Sequence, residues 1–259
     1  MLHKALSAAD GVEMHHEYMV HHVQPLGVRR YLGLADAAEA RATLAATHGA
    51  AIGYSDAARW GDSSNKLSWL ISDLAALFPR AKFVHLARDG RKVASSYFHK
   101  LSLECYDDRS NFIMQAHYDD PRRWPAPPPE KKYWWPVPRR GDPIAQDFRS
   151  FDQFARIAWH WAEINAAILN SLAVLDPKRR LFVRLEDLAA SPPLVRALFA
   201  FLDLSCCDEG VRAFARPHNV NRPEDRPLSA SQRAVFDRIA GSMMDRLGYA
   251  EREEYVVNY

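Results

Sequence analysis

The chain has 259 residues, 48% hydrophobic and 25% charged, which suits a folded domain with a sizeable core and excludes a disordered or low-complexity protein. With 34 basic against 32 acidic residues the formal net charge is +2, which gives no ground for a nucleic-acid partner. Three cysteines, Cys105, Cys206 and Cys207, form neither a disulfide framework nor a zinc pattern, no apolar run approaches membrane-spanning length, and the start lacks a signal-peptide shape; with an Ala- and Arg-rich composition this points to a bacterial cytoplasmic protein.

Residues 1–9 predict a helix with Leu2, Ala5, Leu6 and Ala9 on one face. An Ala-rich helix is expected over 36–47, a strand within 51–60, and an amphipathic helix over 67–78 stopped by Pro79. Residues 82–87 form a short apolar run typical of a strand covered on both faces. Arg88-Asp89-Gly90 breaks it, with Gly90 expected to supply turn dihedrals, and helical spacing resumes over 91–100. Residues 103–146 carry Pro121, Pro125, Pro127, Pro128, Pro129, Pro136, Pro138 and Pro143 among Trp124, Tyr133, Trp134 and Trp135, so an irregular insertion or substrate lid is expected there. A long helix over 148–175 contains Trp159 and Trp161, residues 180–185 read as a second buried strand, and amphipathic helices follow over 193–204 and 229–247, the latter capped by Ser229. Strands alternating with helices predict a single α/β domain over 1–259 with a mainly parallel sheet flanked by helices.

The chemistry concentrates where the 82–87 strand ends. Arg88 sits at its carboxyl end and Ser96 about two turns into the next helix, where open α/β sheets hold ligands. A bidentate guanidinium and a hydroxyl there can clamp one phosphate. The alternative is an Arg88 paired with a helix end and an ordinary helical Ser96. Paired basic residues, among them Arg122-Arg123, Lys131-Lys132 and Arg139-Arg140, offer local anion attraction or simply a solvated surface. His15, His16, His21 and His22 lack a third-ligand pattern, so no metal is expected.

Taken with Phe78-Pro79, Lys82-Phe83, Val183-Arg-Leu-Glu-Asp-Leu188, Ala190-Ser-Pro192 and the closing Arg-Leu-Gly-Tyr249, the Arg88–Ser96 stretch resembles the sulfotransferases that use 3′-phosphoadenosine 5′-phosphosulfate (PAPS). The resemblance implies the P-loop NTPase-like sulfotransferase fold, with Arg88 and Ser96 on the donor's 3′-phosphate. It places Leu185 near the adenine, where many members carry Tyr, and Arg222 and Arg226 over the phosphates, with salt bridging as the alternative for these two arginines. The family's first strand and its Gly-rich loop for the 5′-phosphosulfate have no counterpart ahead of the helix at 1–9, so the chain is expected to lack both, through a late-assigned start or a truncation.

For the base that takes the acceptor's proton, the resemblance offers Glu17 and Asp62. Glu17, in Met14-His-His-Glu17, resembles the catalytic glutamate of tyrosylprotein sulfotransferases. Asp62, in Trp60-Gly-Asp-Ser-Ser-Asn65, stands where glycan sulfotransferases show Glu-Lys-Thr-Pro, with Ser63 in the lysine's place and Lys66 three residues on as a substitute. His16 is an alternative base or an orienter of Glu17. Trp124, Trp134 and Trp135 offer flat faces to a carbohydrate or small-molecule acceptor. The implied reaction is sulfuryl transfer from PAPS to a hydroxyl, with no metal and with a homodimer as the further partner expectation. The rivals are an inactive, truncated nucleotide-binding or interaction protein and a small-molecule kinase.

Overall fold

Two pairs of parallel strands and the helices around them place the candidate residues. The computed structural model describes residues 1–215 and 226–253. In chain order it runs α1 (Leu2–Leu6), β1 (Val12–His16), α2 (Val20–Tyr31), α3 (Ala37–Leu44), a π-helical turn (Ala45–Gly49), α4 (Ala50–Tyr54), β2 (Arg59–Ser63), a 3₁₀ turn (Asn65–Leu70), α5 (Ile71–Leu77), β3 (Phe83–Ala87) and α6 (Gly90–Lys100). There follow α7 (Asp108–Asp119), a 3₁₀ turn (Lys131–Tyr133), α8 (Ala145–Phe148), α9 (Gln153–Ala173), β4 (Arg180–Arg184), α10 (Leu185–Ala190), α11 (Pro192–Phe201), α12 (Asp208–Ala215) and α13 (Ala230–Arg246). β1 pairs with β2 from Val12↔Arg59 to His16↔Ser63, and β3 with β4 from Phe83↔Arg180 to Ala87↔Arg184, both parallel. The fold is mixed α/β, parallel strands flanked by helices, as expected.

Local chemistry explains most boundaries. Asp36, Asp107, Asp152 and Ser191 each accept a backbone N–H in the first turn of α3, α7, α9 and α11, and Ser229 opens α13 with a full capping box to Gln232. Four expectations need correction. The strand expected within 51–60 is helix α4 to Tyr54, and the strand begins at Arg59. β1 and α2 went unassigned because Val12–His16 mixes apolar and polar residues and α2 holds Pro25 in its interior. The 103–146 insertion contains α7, which lies wholly before the first of its prolines. The strands of β3 and β4 are largely half-buried rather than covered on both faces.

Three apolar clusters hold the molecule. The largest joins α9, α6 and α13 with Tyr106, Met114, Tyr133, Trp134, Trp135 and Val137. Tyr133, Trp134 and Trp135 of the insertion are therefore core residues of the main body, unlike Trp124: Trp134 and Trp135 are 5% and 7% exposed, and their indole N–H groups donate to Pro128 O (2.8 Å) and Glu104 O (2.6 Å). A second cluster gathers α1, α11 and α12 onto residues of all strands but β2, and a third lies between α2, α3 and α5. Among the described residues no helix is long and apolar enough to cross a membrane, and no group of three or more His, Cys, Asp or Glu could hold a metal ion.

Gly90 has a role different from the one expected. Its φ is not positive; instead a Cβ there would come within 2.7 Å of Phe236 Cζ and of the Trp161 indole. The glycine lets the start of α6 seat directly on α9 and α13. Gly90→Ala is expected to destabilise the protein by about 1–3 kcal/mol through overpacking, whereas Gly241→Ala, with open space around it inside α13, is expected to be neutral or stabilising by up to about 1 kcal/mol. Denaturant unfolding of both variants against the parent checks the pair.

Candidate active site

The residues singled out at the strand ends fall into two groups: those already bonded and those left open. At the end of β3, Asp89 is 1% exposed. Its carboxylate accepts from Arg91 N (2.9 Å) and pairs with the Arg91 guanidinium (Nη2–Oδ2 2.6 Å), which also donates to Arg252 O. Asp89 N–H donates to Glu186 Oε1 at 2.9 Å, and Tyr249 O–H donates to Glu186 Oε2 at 2.7 Å. Burial, and then the Glu186 carboxylate, push the Tyr249 hydroxyl's pKa well above its usual range. This network anchors the β3–α6 turn to α10 and to the segment after α13.

Arg88, one residue before that turn, is half-buried and makes no hydrogen bond or ion pair with the described residues. The side chain of Ser96 on α6 is likewise half-buried and unbonded. A half-buried guanidinium without a carboxylate keeps its forked donors open to an incoming anion. Next to Ser96, the buried Ser95 donates to Arg226 O at 2.6 Å, which ties the chain at Arg226 to α6. The Arg226 charge, after burial, helps lower the pKa of His99 on the same helix. Arg226 itself is exposed, and Arg222 lies outside the described residues. Leu185 opens α10 and packs, partly buried, into the second cluster.

At the end of β1, Glu17 adopts φ +55°, an uncommon left-handed conformation for a non-glycine residue. Its N–H donates to Ser63 O (3.3 Å) and its carboxylate is paired with the Lys131 ammonium. Asp62 is engaged otherwise. Its side chain is 3% exposed, Oδ1 accepts from Tyr18 N (3.2 Å), and Oδ2 lies 3.4 Å from His48 Nε2, which the π-helical turn brings across. With both oxygens held, Asp62 ties β2 to the turn after β1. His16 Nδ1 donates to Ser63 O at 2.8 Å, with its ring exposed and no bond to Glu17 among those described. Trp124 is 39% exposed, edge-on to Phe112 and under Arg123.

Trp134 and Trp135 instead wall a small pocket that also takes in Gln24, Asn65, Lys66, Trp69 and His160. The turn at Asn65–Leu70 carries Lys66 into the interior, where Nζ stands 3.8 Å over the Trp135 ring. Burial drops the Lys66 pKa to about 8, opposed chiefly by the Glu17 charge. The sequence offers this lysine as a substitute for the one missing at Ser63; nothing in the order of residues points to Gln24 or His160, which reach the same pocket from α2 and α9.

Residues 2–126 match a family model described as Sulfotransferase family. A solved structure described as "Sulfotransferase Domain from the Curacin Biosynthetic Pathway" is 17% identical, with 93% of this chain and 76% of that chain covered and a TM-score of 0.39. No curated protein sequence matches the chain.

Lys66 gives a pH signature. The unfolded chain keeps its proton to about pH 10.5 and the folded protein only to about 8. The unfolded state therefore binds more protons between those values, and stability rises with pH across that window. Lys66→Met is expected to be more stable than the parent at pH 7 by about 1–3 kcal/mol, the cation–π contact offsetting part of the burial cost. The gap should narrow as pH approaches 10, as followed by denaturant unfolding at both pH values.

Proposed function

We propose that this chain, whose residues 2–126 match a sulfotransferase family model, moves a sulfuryl group from 3′-phosphoadenosine 5′-phosphosulfate to a hydroxyl of a carbohydrate or small-molecule acceptor. The observation that carries the donor half is the contrast between neighbours: Arg91 is spent on Asp89, while Arg88 and Ser96 are half-buried and unbonded. That is the arrangement a phosphate completes, a forked guanidinium with one added hydroxyl donor. Arg226, on the stretch held to α6 through Ser95, adds a second positive charge on that side, and Arg222 is assigned with it by resemblance alone. Leu185 would supply an apolar face to the adenine.

On the acceptor side, Glu17 is the base. The acceptor oxygen attacks sulfur, the bond from sulfur to the donor's bridging phosphate oxygen breaks, adenosine 3′,5′-bisphosphate leaves, and the acceptor's proton passes to the Glu17 carboxylate. Lys131, paired with that carboxylate, and Lys66 nearby supply positive charge for the sulfuryl oxygens. Most of the rate enhancement then comes from positioning and fixed charge. Asp62 and His16 serve the turn that holds Glu17, through Tyr18 N and Ser63 O.

Titration calorimetry of the full chain with adenosine 3′,5′-bisphosphate and with ATP tests the donor. The bisphosphate is expected to bind tighter, and Arg88→Ala to weaken it about 100-fold, the loss of charge-assisted bonds worth about 3 kcal/mol. A preference for ATP would make the protein a kinase, and binding of neither would make it an interaction protein. Glu17→Gln is expected to lower turnover at least about 100-fold with bisphosphate affinity unchanged, read by transfer of labelled sulfate from PAPS to a glycan panel.

A further inference from the structure

One hydroxyl within reach of both Arg88 and Glu17 has a proton that nothing accepts. Tyr97 follows Ser96 on α6 and is half-buried. Asn65 Nδ2 donates to its oxygen at 3.0 Å, and its ring meets the Trp135 indole edge-on, with centroids 6.0 Å apart. Ring and oxygen are thus both held, and the amide occupies one of the oxygen's acceptor positions. Among the described residues the Tyr97 O–H donates to nothing. The charges of Glu17 and Arg88 both act on it, the first from the end of β1 and the second from the end of β3. Burial, followed by Cys105 and the Glu17 carboxylate, pushes the hydroxyl's pKa above its usual range, so it keeps its proton.

The two charged neighbours set the chemistry of what would take this proton. A cationic donor beside Glu17 is drawn to the carboxylate, as the Lys131 ammonium is. A neutral phenol is not spent that way, and accepting from Asn65 strengthens it as a donor. Its complement is an oxygen without a proton of its own, on a molecule that also reaches Arg88 and Glu17. In a donor with a phosphate on Arg88 and its reacting end toward Glu17, the sulfuryl oxygens meet that description. The acceptor's oxygen does so less well, because a hydrogen bond donated to it would tie up a lone pair needed for attack on sulfur. The resemblance places a lysine where this chain has Ser63, and Tyr97 supplies a donor from a different element, α6.

We infer that Tyr97 is a further catalytic residue of this site: its O–H, aimed by Asn65, donates to an oxygen of the sulfuryl group. The proton stays on Tyr97 throughout, while the acceptor's proton goes to Glu17 and the bond from sulfur to the bridging oxygen breaks. The inference rests on the sulfuryl-transfer reading.

Calorimetry of the full chain, without acceptor, with PAPS and with adenosine 3′,5′-bisphosphate isolates the contact, since the two ligands differ only in the sulfuryl group. Tyr97→Phe keeps the ring against Trp135 and removes the hydroxyl. It is expected to weaken PAPS about tenfold, the loss of a hydrogen bond to a charged group, with bisphosphate affinity unchanged. Asn65→Ala, which keeps the hydroxyl but frees its orientation, is expected to show the same selective loss at about threefold, and it decides the matter alone should Tyr97→Phe not fold. Equal weakening of both ligands, which would mean a role in the nucleotide or the fold, or no weakening of either, overturns the inference. A parent chain that binds neither ligand, or prefers ATP, removes the sulfuryl-transfer reading and this inference with it. A parent that binds both, with variants that bind both equally well, removes the inference alone.

Discussion

The carboxylate of Glu186 is the constraint on which the β3–α6 turn, and with it the proposed donor site, depends. It is 8% exposed and accepts from the Asp89 amide and the Tyr249 hydroxyl, groups that arrive from distant stretches of chain. A buried carboxylate survives on such donors; without it both donors would be orphaned in the interior at a cost of about 1–3 kcal/mol each. Once the turn after β3 is pinned this way, Asp89 is positioned to cap α6 and to hold Arg91. Arg88 is then the guanidinium of the turn for which no carboxylate remains. The open charge is thus a product of the closed ones around it.

A second dependency runs through α9. Trp161 on this helix meets Gly90, at the start of the helix bearing Ser96, while His160, the next residue back, lines the pocket beside Lys66. Adjacent positions on a helix diverge by about 100°, so one rigid element supports the start of α6 with one face and closes the small pocket around Lys66 with another. The β1 end joins the arrangement through Lys131, whose carbonyl holds Gln24 while its ammonium holds Glu17.

How far the sequence foretold this depended on whether the signal was local. The 82–87 run and the Arg88 break are local patterns, and β3, α6 and their junction appear within a residue of the expected places. Ser229 was recognisable as a cap because capping is settled by a few neighbouring atoms. β1 was not, because its side chains alternate poorly and its strand character comes from pairing with β2, more than forty residues away. Gly90 was assigned turn freedom on residue type alone, whereas its reason is the bulk of Trp161 and Phe236 arriving from elsewhere. Among the candidate site residues, Arg88, Ser96 and Glu17 stand at strand ends or on the following helix, places that sequence order alone can locate. Gln24 and His160 carry no motif; only the closed pocket and its unpaired atoms identify them.

The burial of the Pro/aromatic segment has a consequence for divergence. Trp134 and Trp135 are walls of the pocket and members of the largest apolar cluster at once. A descendant of this chain could not replace the segment as a loose loop is replaced, since each new wall must also fill the volume the old one left in the interior. Change would instead come through Gln24, Lys66 and the edge of α9, a few side chains at a time. The lining of that pocket in such a lineage would be expected to drift slowly and in small chemical steps.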